Sequence, residues 1–279
     1  MRIRIVVMLL AWPLPQSQVV AQNGAIQLTL KGGWASASEP VRKLQVVGPH
    51  AYLVVGETGL QVLEVSSPTN PVPLGRYNAS QRINGFHVDG NYAFLAEGSF
   101  ITGTNDPGIM EILDVSQPTN LVHLGAINTL GRANAVHVTE DYAYVAESTR
   151  WTGSNLLGAL EIFRITNHAS PTWVGRYETS NAVNDVRVAG HYAYLAGGDA
   201  DLTVLDVSNP DTIAWVADKT WTGQDPIFGE YGGPAYQITL SSNHVYVADG
   251  FDGLHVLDVS DPHQAIQIFS RYFIGFFRD

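Results

Sequence analysis

Hydrophobic and polar positions along this 279-residue chain fall into short runs that recur as a set. In one unit, Ile83, Phe86 and Val88 mark a first run that ends at Asp89-Gly90. Tyr92-Ala93-Phe94-Leu95-Ala96 is a second run, Met110 to Val115 a third, and Leu121 to Ile127 a fourth. Each run is short, rich in β-branched and aromatic residues, and bounded by Gly, Pro, Asn, Asp or Ser, which predicts strands joined by tight turns. No window sustains a 3.6-residue period, so very little helix is expected. The second-run aromatics of five such sets are Tyr52, Phe94, Tyr144, Tyr194 and Tyr246, spaced by 42, 50, 50 and 52 residues. A period in this range marks a repeat architecture.

Four antiparallel strands per unit predict an all-β fold, a β-propeller of about five four-stranded blades. The runs are apolar almost throughout, as expected of sheets covered on both faces. The blades are placed at about 41–80, 81–130, 131–180, 181–232 and 233–279. Residues 22–40 form a lead-in whose strand-like stretch at 26–34 is surplus to five blades. It is expected to be an extra strand latching a closed ring, with an incomplete ring or a fragment of a longer array as the alternative. Between the third and fourth runs stands Asp-Val-Ser-x-Pro, at Asp114–Pro118, Asp206–Pro210 and Asp258–Pro262, with Glu64–Pro68 as a variant. Ser and Asn bond nearby amides and Pro pre-sets φ, so these acids read as turn-forming residues, not catalytic ones.

Tyr-Ala-Tyr-Leu-Ala at 192–196, Gly253-Leu254-His255-Val256-Leu257-Asp258-Val259-Ser260, and the Pro-x-x-Val/Leu-Gly-x-Tyr endings at 71–77 and 171–177 resemble the LVIVD-repeat family of bacterial β-propeller proteins. The resemblance spans about residues 41–273. It implies the propeller and an exported or cell-surface setting, and it implies no shared chemistry.

Composition narrows the partners. The net charge of −11 disfavours nucleic acid, since an acidic surface repels phosphate backbones. The chain has no cysteine, which excludes disulfide and thiolate chemistry. Arg2 and Arg4, the apolar run from Ile5 to Trp12 and the small residues before Gln22 have the order of a secretory signal over residues 1–21, with a first strand of a cytoplasmic protein as the alternative. The expected location is therefore periplasmic, extracellular or on the cell surface, with no membrane span.

Candidate functional residues come from where the units differ. Units two and three carry eight or nine extra residues between the second and third runs, and a third insertion joins units four and five. Their sequences are related: Thr102-Gly103-Thr104-Asn105-Asp106, Trp151-Thr152-Gly153-Ser154-Asn155 and Trp221-Thr222-Gly223-Gln224-Asp225. In up-and-down blades all three emerge on one face. Trp151 and Trp221 with Asn105, Asp106, Asn155 and Asp225 are the candidate binding residues, a flat aromatic surface with polar groups suited to a glycan or peptide. The alternative is that the insertions pack on one another and bury both tryptophans. Glu97, Glu147 and Asp249 end three second runs and are expected to form an acidic rim on that face, solvated or weakly cation-binding. Asn84, Asn134 and Asn184 share one register and His87, His137 and Arg187 another. Hydrogen bonding between blades is the expected role of both sets, and no metal site or cofactor is expected. None of the local motifs for nucleophilic, zinc-dependent or nucleotide-dependent catalysis occurs. The expected function is a non-catalytic binding or interaction scaffold with a protein or glycan ligand on one face. The alternatives are a polysaccharide-acting propeller enzyme using carboxylates of that face, and a structural surface protein.

Overall fold

The structure, a computed structural model, describes residues 39–99, 107–152, 155–197, 200–221, 235–250 and 253–271. The signal-like segment, the strand-like stretch at 26–34 and the apolar end at 272–279 lie outside the described residues. The fold is an all-β propeller built from five four-stranded antiparallel sheets. Blade 1 contains β1 (Val41–Val47), β2 (His50–Val55), β3 (Gly59–Glu64) and β4 (Val72–Asn78). Blade 2 contains β5 (Ile83–Asp89), β6 (Tyr92–Glu97), β7 (Ile109–Asp114) and β8 (Val122–Asn128). Blade 3 contains β9 (Arg132–Thr139), β10 (Tyr142–Thr152), β11 (Asn155–Arg164) and β12 (Thr172–Thr179). Blade 4 contains β13 (Val183–Ala189), β14 (Tyr192–Gly197), β15 (Leu202–Asp206) and β16 (Ala214–Lys219). Blade 5 contains β17 (Ala235–Ser241), β18 (His244–Asp249), β19 (Gly253–Asp258) and β20 (Ile266–Arg271). In every sheet the strands pair in chain order. One 3-10 turn, Pro262–Gln264, is the only helical element among the described residues.

The chain divides into two compact units, blade 1 with the 115–121 turn, and the remainder from residue 81 onward. Inside blade 1, Ala51, Leu53, Val55 and Leu63 form a buried cluster. In the larger unit the core is made between blades. Phe94, Met110 and Ile112 of blade 2 pack on Val136, Val145 and Phe163 of blade 3. Tyr144, Leu160 and Ile162 pack on Val186, Leu195 and Leu205 of blade 4. Tyr194, Leu202 and Val204 pack on Ile238, Val247 and Leu257 of blade 5. The apolar continuity of the second and third strands follows from this stacking, because both faces of a middle blade meet a neighbour.

The recurring punctuation of the repeat has a steric cause. A Cβ on Gly125 would lie 2.6 Å from the His168 carbonyl oxygen, and one on Gly175 would lie 2.2 Å from that of Pro210. The fourth strand of one blade therefore needs glycine where the turn of the next blade presses on it. The turn itself is held by its acid. The Asp206 and Asp258 carboxylates accept from the Ser208 and Ser260 amides at 2.8 Å each. Those Ser hydrogen bonds hold both carboxyls below the usual Asp range, which fixes the turn-forming reading of these residues.

Candidate functional site

The first strand of every blade carries a one-residue bulge. The residue left out of the ladder is Arg42, Asn84, Asn134, Asn184 or Tyr236. A bulge frees a side chain from the regular pleat and re-aims it. The three asparagines use that freedom to join blades. Asn84 Nδ2 donates to the Ala133 carbonyl at 2.9 Å, Asn134 to Val183 at 2.7 Å, and Asn184 to Ala235 at 2.8 Å. Three residues on, His87 Nδ1 accepts from the Val138 amide at 2.9 Å and His137 Nδ1 from the Val188 amide at 3.3 Å. The two imidazoles stack with centroids 4.6 Å apart. The three asparagines and the two histidines therefore carry the interblade bonding expected of them, whereas Arg187 bonds Asp185 and the Val186 carbonyl within its own blade. Burial first, then the nearby Arg187 charge, lowers the pKa of His87 to about 4, with Asp89 opposing. Burial, His87 and Arg187 lower that of His137 to about 3. Both rings are neutral at pH 7.

The acidic rim is corrected by the structure. Glu97, Glu147 and Asp249 are all fully buried. All three sit where the second strand ends, and at Glu97 and Glu147 the chain leading into the blade folds back to bond them. The Gln81 amide, in the loop leading into blade 2, donates to Glu97 Oε2 at 3.0 Å. The Gly131 backbone does the same for Glu147 in blade 3. A carboxylate that closes a loop in this way satisfies a backbone donor that water cannot reach. It offers no solvated surface to a cation or a substrate.

Each of these acids has a buried polar neighbour on the third strand: Glu111, Glu161 and His255. The alternation of the strand would have found Glu111 and Glu161, since each interrupts an apolar run at a 50-residue spacing. In blade 3, Arg176 Nη1 lies 3.3 Å from Glu147 Oε2 and 3.2 Å from Glu161 Oε1. Glu161 also accepts from the Leu130 amide at 3.1 Å and from Trp173 Nε1 at 3.2 Å. Burial is the largest influence on Glu147, followed by its hydrogen bond with Glu161 and the repulsion of that charge. Together they outweigh Arg176 and hold the Glu147 pKa far above the carboxylate range. Two buried acids and one guanidinium then balance by keeping one proton. In blade 5, Asp249 Oδ2 lies 3.6 Å from His255 Nε2, and burial lowers the His255 pKa to about 4.

Of the candidate binding residues, Asn105, Asp106 and Asp225 lie outside the described residues. Trp151 and Asn155 are placed by their backbones. The blade 3 insertion is a continuation of the β10–β11 hairpin, with Trp151 paired to Leu156 and Thr152 to Asn155. Trp221 is not an exposed platform. It is only 8% exposed, its indole lies 4.2 Å from the His255 ring and nearly parallel to it, and its Nε1 donates to Gln267 Oε1. The packed alternative holds at this residue, and the insertion leading from blade 4 begins by covering the blade 5 core. Trp173 and Trp215 are exposed, at one register of the fourth strands, which lacked any signal beyond the repeat itself. Among the described residues, no group of three or more His, Asp or Glu is arranged to hold a metal ion. No described helix is long and apolar enough to cross a membrane.

The LVIVD repeat matches five times, at residues 40–79, 84–129, 130–179, 181–218 and 232–270, which together make up well over half of the chain. The chain belongs to the LVIVD-repeat family. The five matched LVIVD segments coincide with the five sheets; the bulge occurs in all five first strands and the buried acid in blades 2, 3 and 5. No curated protein matches the chain in sequence. Among solved structures it is similar to a "putative 6-phosphogluconolactonase" from Bacteroides fragilis NCTC 9343, at 10% identity and a TM-score of 0.58, covering 88% of this chain and 72% of that one. It is also similar to a functionally unknown protein from Desulfotomaculum acetoxidans DSM 771, at 14% identity and a TM-score of 0.50, covering 90% of this chain and 88% of that one. At such identities the likeness concerns the fold alone.

Proposed function

We propose that this LVIVD-repeat protein is an exported, non-catalytic scaffold that binds a protein or glycan on one propeller face. That face is the one from which the β6–β7, β10–β11 and β16–β17 connections leave. The observation that carries the reading is the β10–β11 hairpin, which runs on to the Trp151–Leu156 and Thr152–Asn155 pairs, beyond the ends of the shorter second and third strands of the other blades. A hairpin that runs on beyond its neighbours is a means of presenting side chains to a partner. Strands in each sheet alternate in direction, so the other two long connections depart from strand ends of the same sense. Export rests on the order of charged, apolar and small residues over 1–21.

An enzymatic role on the same face is less well supported. Glu97, Glu147 and Asp249 are each fully buried, and Glu97 and Glu147 are bonded to loop amides, so these carboxylates are not presented to a substrate. The test is a screen of glycans, cell-wall polymers and envelope proteins against the chain from Gln22 onward. A variant in which the hairpin is shortened by its 150–156 segment, and Trp151→Ala, are screened in parallel. A saturable ligand whose affinity drops at least about tenfold in both variants supports the assignment. A ligand that binds both variants as tightly as the parent places recognition elsewhere.

A further inference from the structure

The His87 and His137 rings have a second consequence beyond holding blades together. Each Nδ1 accepts a backbone N–H, from Val138 at 2.9 Å and from Val188 at 3.3 Å. A neutral imidazole has one donor and one acceptor nitrogen, so an Nδ1 acceptor fixes the hydrogen on Nε2. Neither Nε2–H has a hydrogen-bond partner among the described residues, and both side chains are only half-buried. The two rings stack with centroids 4.6 Å and planes 22° apart, so the imidazoles that carry these N–H groups lie side by side.

Arg187 completes the set. His87, His137 and Arg187 pair across to Phe94, Tyr144 and Tyr194, the same register of three consecutive first strands. Those strands, β5, β9 and β13, contact each other in series. Arg187 is close enough for its charge to act on both imidazoles. Its Nη1 donates to Asp185 Oδ1 at 2.9 Å and to the Val186 carbonyl at 2.7 Å. The other guanidinium nitrogens have no such partner among the described residues, so donors remain for a ligand. Asp89 and Asp185 are the acids nearby. Asp185 is committed to Arg187, the Val186 amide and the Ile238 amide at 3.0 Å.

We propose that His87, His137 and Arg187 form an oxyanion-binding site on the inner strands of blades 2 to 4, taking a carboxylate or phosphate group. Two oriented neutral N–H donors and one permanent cation, in a chain of net charge −11, single out this position for an anion. The site is separate from the proposed partner-binding face and does not depend on it.

The test is a long-range proton–nitrogen NMR spectrum of the intact, histidine-labelled protein at pH 7, recorded with and without inorganic phosphate or acetate at constant ionic strength. The expected result is the Nε2–H form for both rings, and saturable shifts of these two among the nine histidines. Saturation by phosphate alone assigns a tetrahedral ligand group, and saturation by both assigns carboxylates as well. Arg187→Gln is expected to weaken binding at least about tenfold, and Arg187→Lys, which keeps the charge and loses the fork, to weaken it less. The proposal is overturned by an Nδ1–H form of either ring, or by linear shifts spread over all the histidines. It is also overturned if Arg187→Gln, shown folded by circular dichroism, binds with undiminished affinity. The tautomer and saturation readouts need no variant to fold.

Discussion

Blades 3 and 5 solve one problem with different chemistry. Both bury an acid at the end of the second strand, Glu147 and Asp249, against a polar residue of the third strand, Glu161 and His255. Blade 3 adds Arg176 from the fourth strand and keeps an extra proton. Blade 5 has Ser270 opposite His255, no cation in that place, and stacks the Trp221 indole on the His255 ring. The repeat thus decides where a polar pair is buried, and the individual residues decide its charge state. A pair inherited by position need not be inherited as chemistry.

The sharpest way to break the blade 3 arrangement is to remove its cation. Arg176→Ala leaves two buried carboxyls facing each other, and losing one partner of a buried ionic group costs about 3–5 kcal/mol. Calorimetry should show a midpoint lower by roughly 10 °C for a domain of this size. His255→Leu in blade 5 is close in volume and removes an imidazole that is already neutral, so its cost should stay below about 1.5 kcal/mol. Equal losses at the two sites would mean that blade 3 is held by packing, not by its charge balance.

The pH dependences should have opposite signs. Glu147 has a raised folded-state pKa, so the folded protein keeps a proton that the unfolded chain releases above about pH 4.5. Its contribution is present at low pH and is lost as pH rises, by up to about 1.4 kcal/mol per pH unit. Glu147→Gln mimics the protonated acid and should flatten the alkaline side of the stability profile, read as unfolding midpoint against pH from 6 to 9. An unchanged slope would show that Glu147 is ionised in the fold.

His255 works the other way. Its folded pKa of about 4 lies below the usual 6.5, so the unfolded chain takes up a proton first. Stability is present above about pH 6.5 and is lost as pH falls toward 4. His255→Leu should remove one part of that acid slope. His87 and His137, also depressed, keep the rest. If the variant has the acid profile of the parent, His255 is not the titrating group.

How much of this was legible in the sequence follows from what each signal measures. Five blades and their strand order were readable because burial on both faces writes continuous apolar runs, and turns write Gly, Asp and Pro. The asparagine register was readable because a bulge recurs at one place in each repeat. The burial of Glu97, Glu147 and Asp249 was not. A carboxylate at a strand end looks the same to the sequence whether it meets water or a loop amide folded back over it. Trp221 was misplaced for a related reason. Its neighbours in the insertion are polar, while what it covers, His255 and Gln267, lies 34 and 46 residues away in the chain. Trp173 and Trp215 were missed because a fourth strand reads as one more apolar run until its outer face is seen.

The smallest effect separates the bulges of the same two blades. In blade 3 the bulged residue is Asn134, whose Nδ2 reaches the Val183 carbonyl and the Ser148 hydroxyl, both at 2.7 Å. In blade 5 it is Tyr236, which is half exposed. Asn134→Ala removes a donor from a buried carbonyl and should cost about 1–2 kcal/mol. Tyr236→Ala should cost less than about 0.5 kcal/mol, as exposed substitutions do. Denaturant midpoints at fixed m-value measure both. The bulge is a backbone feature that survives either substitution, so the difference isolates what the side chain adds to it. If the two variants were equally destabilised, the value of this position would lie in the bulge and not in the asparagine that the repeat places there.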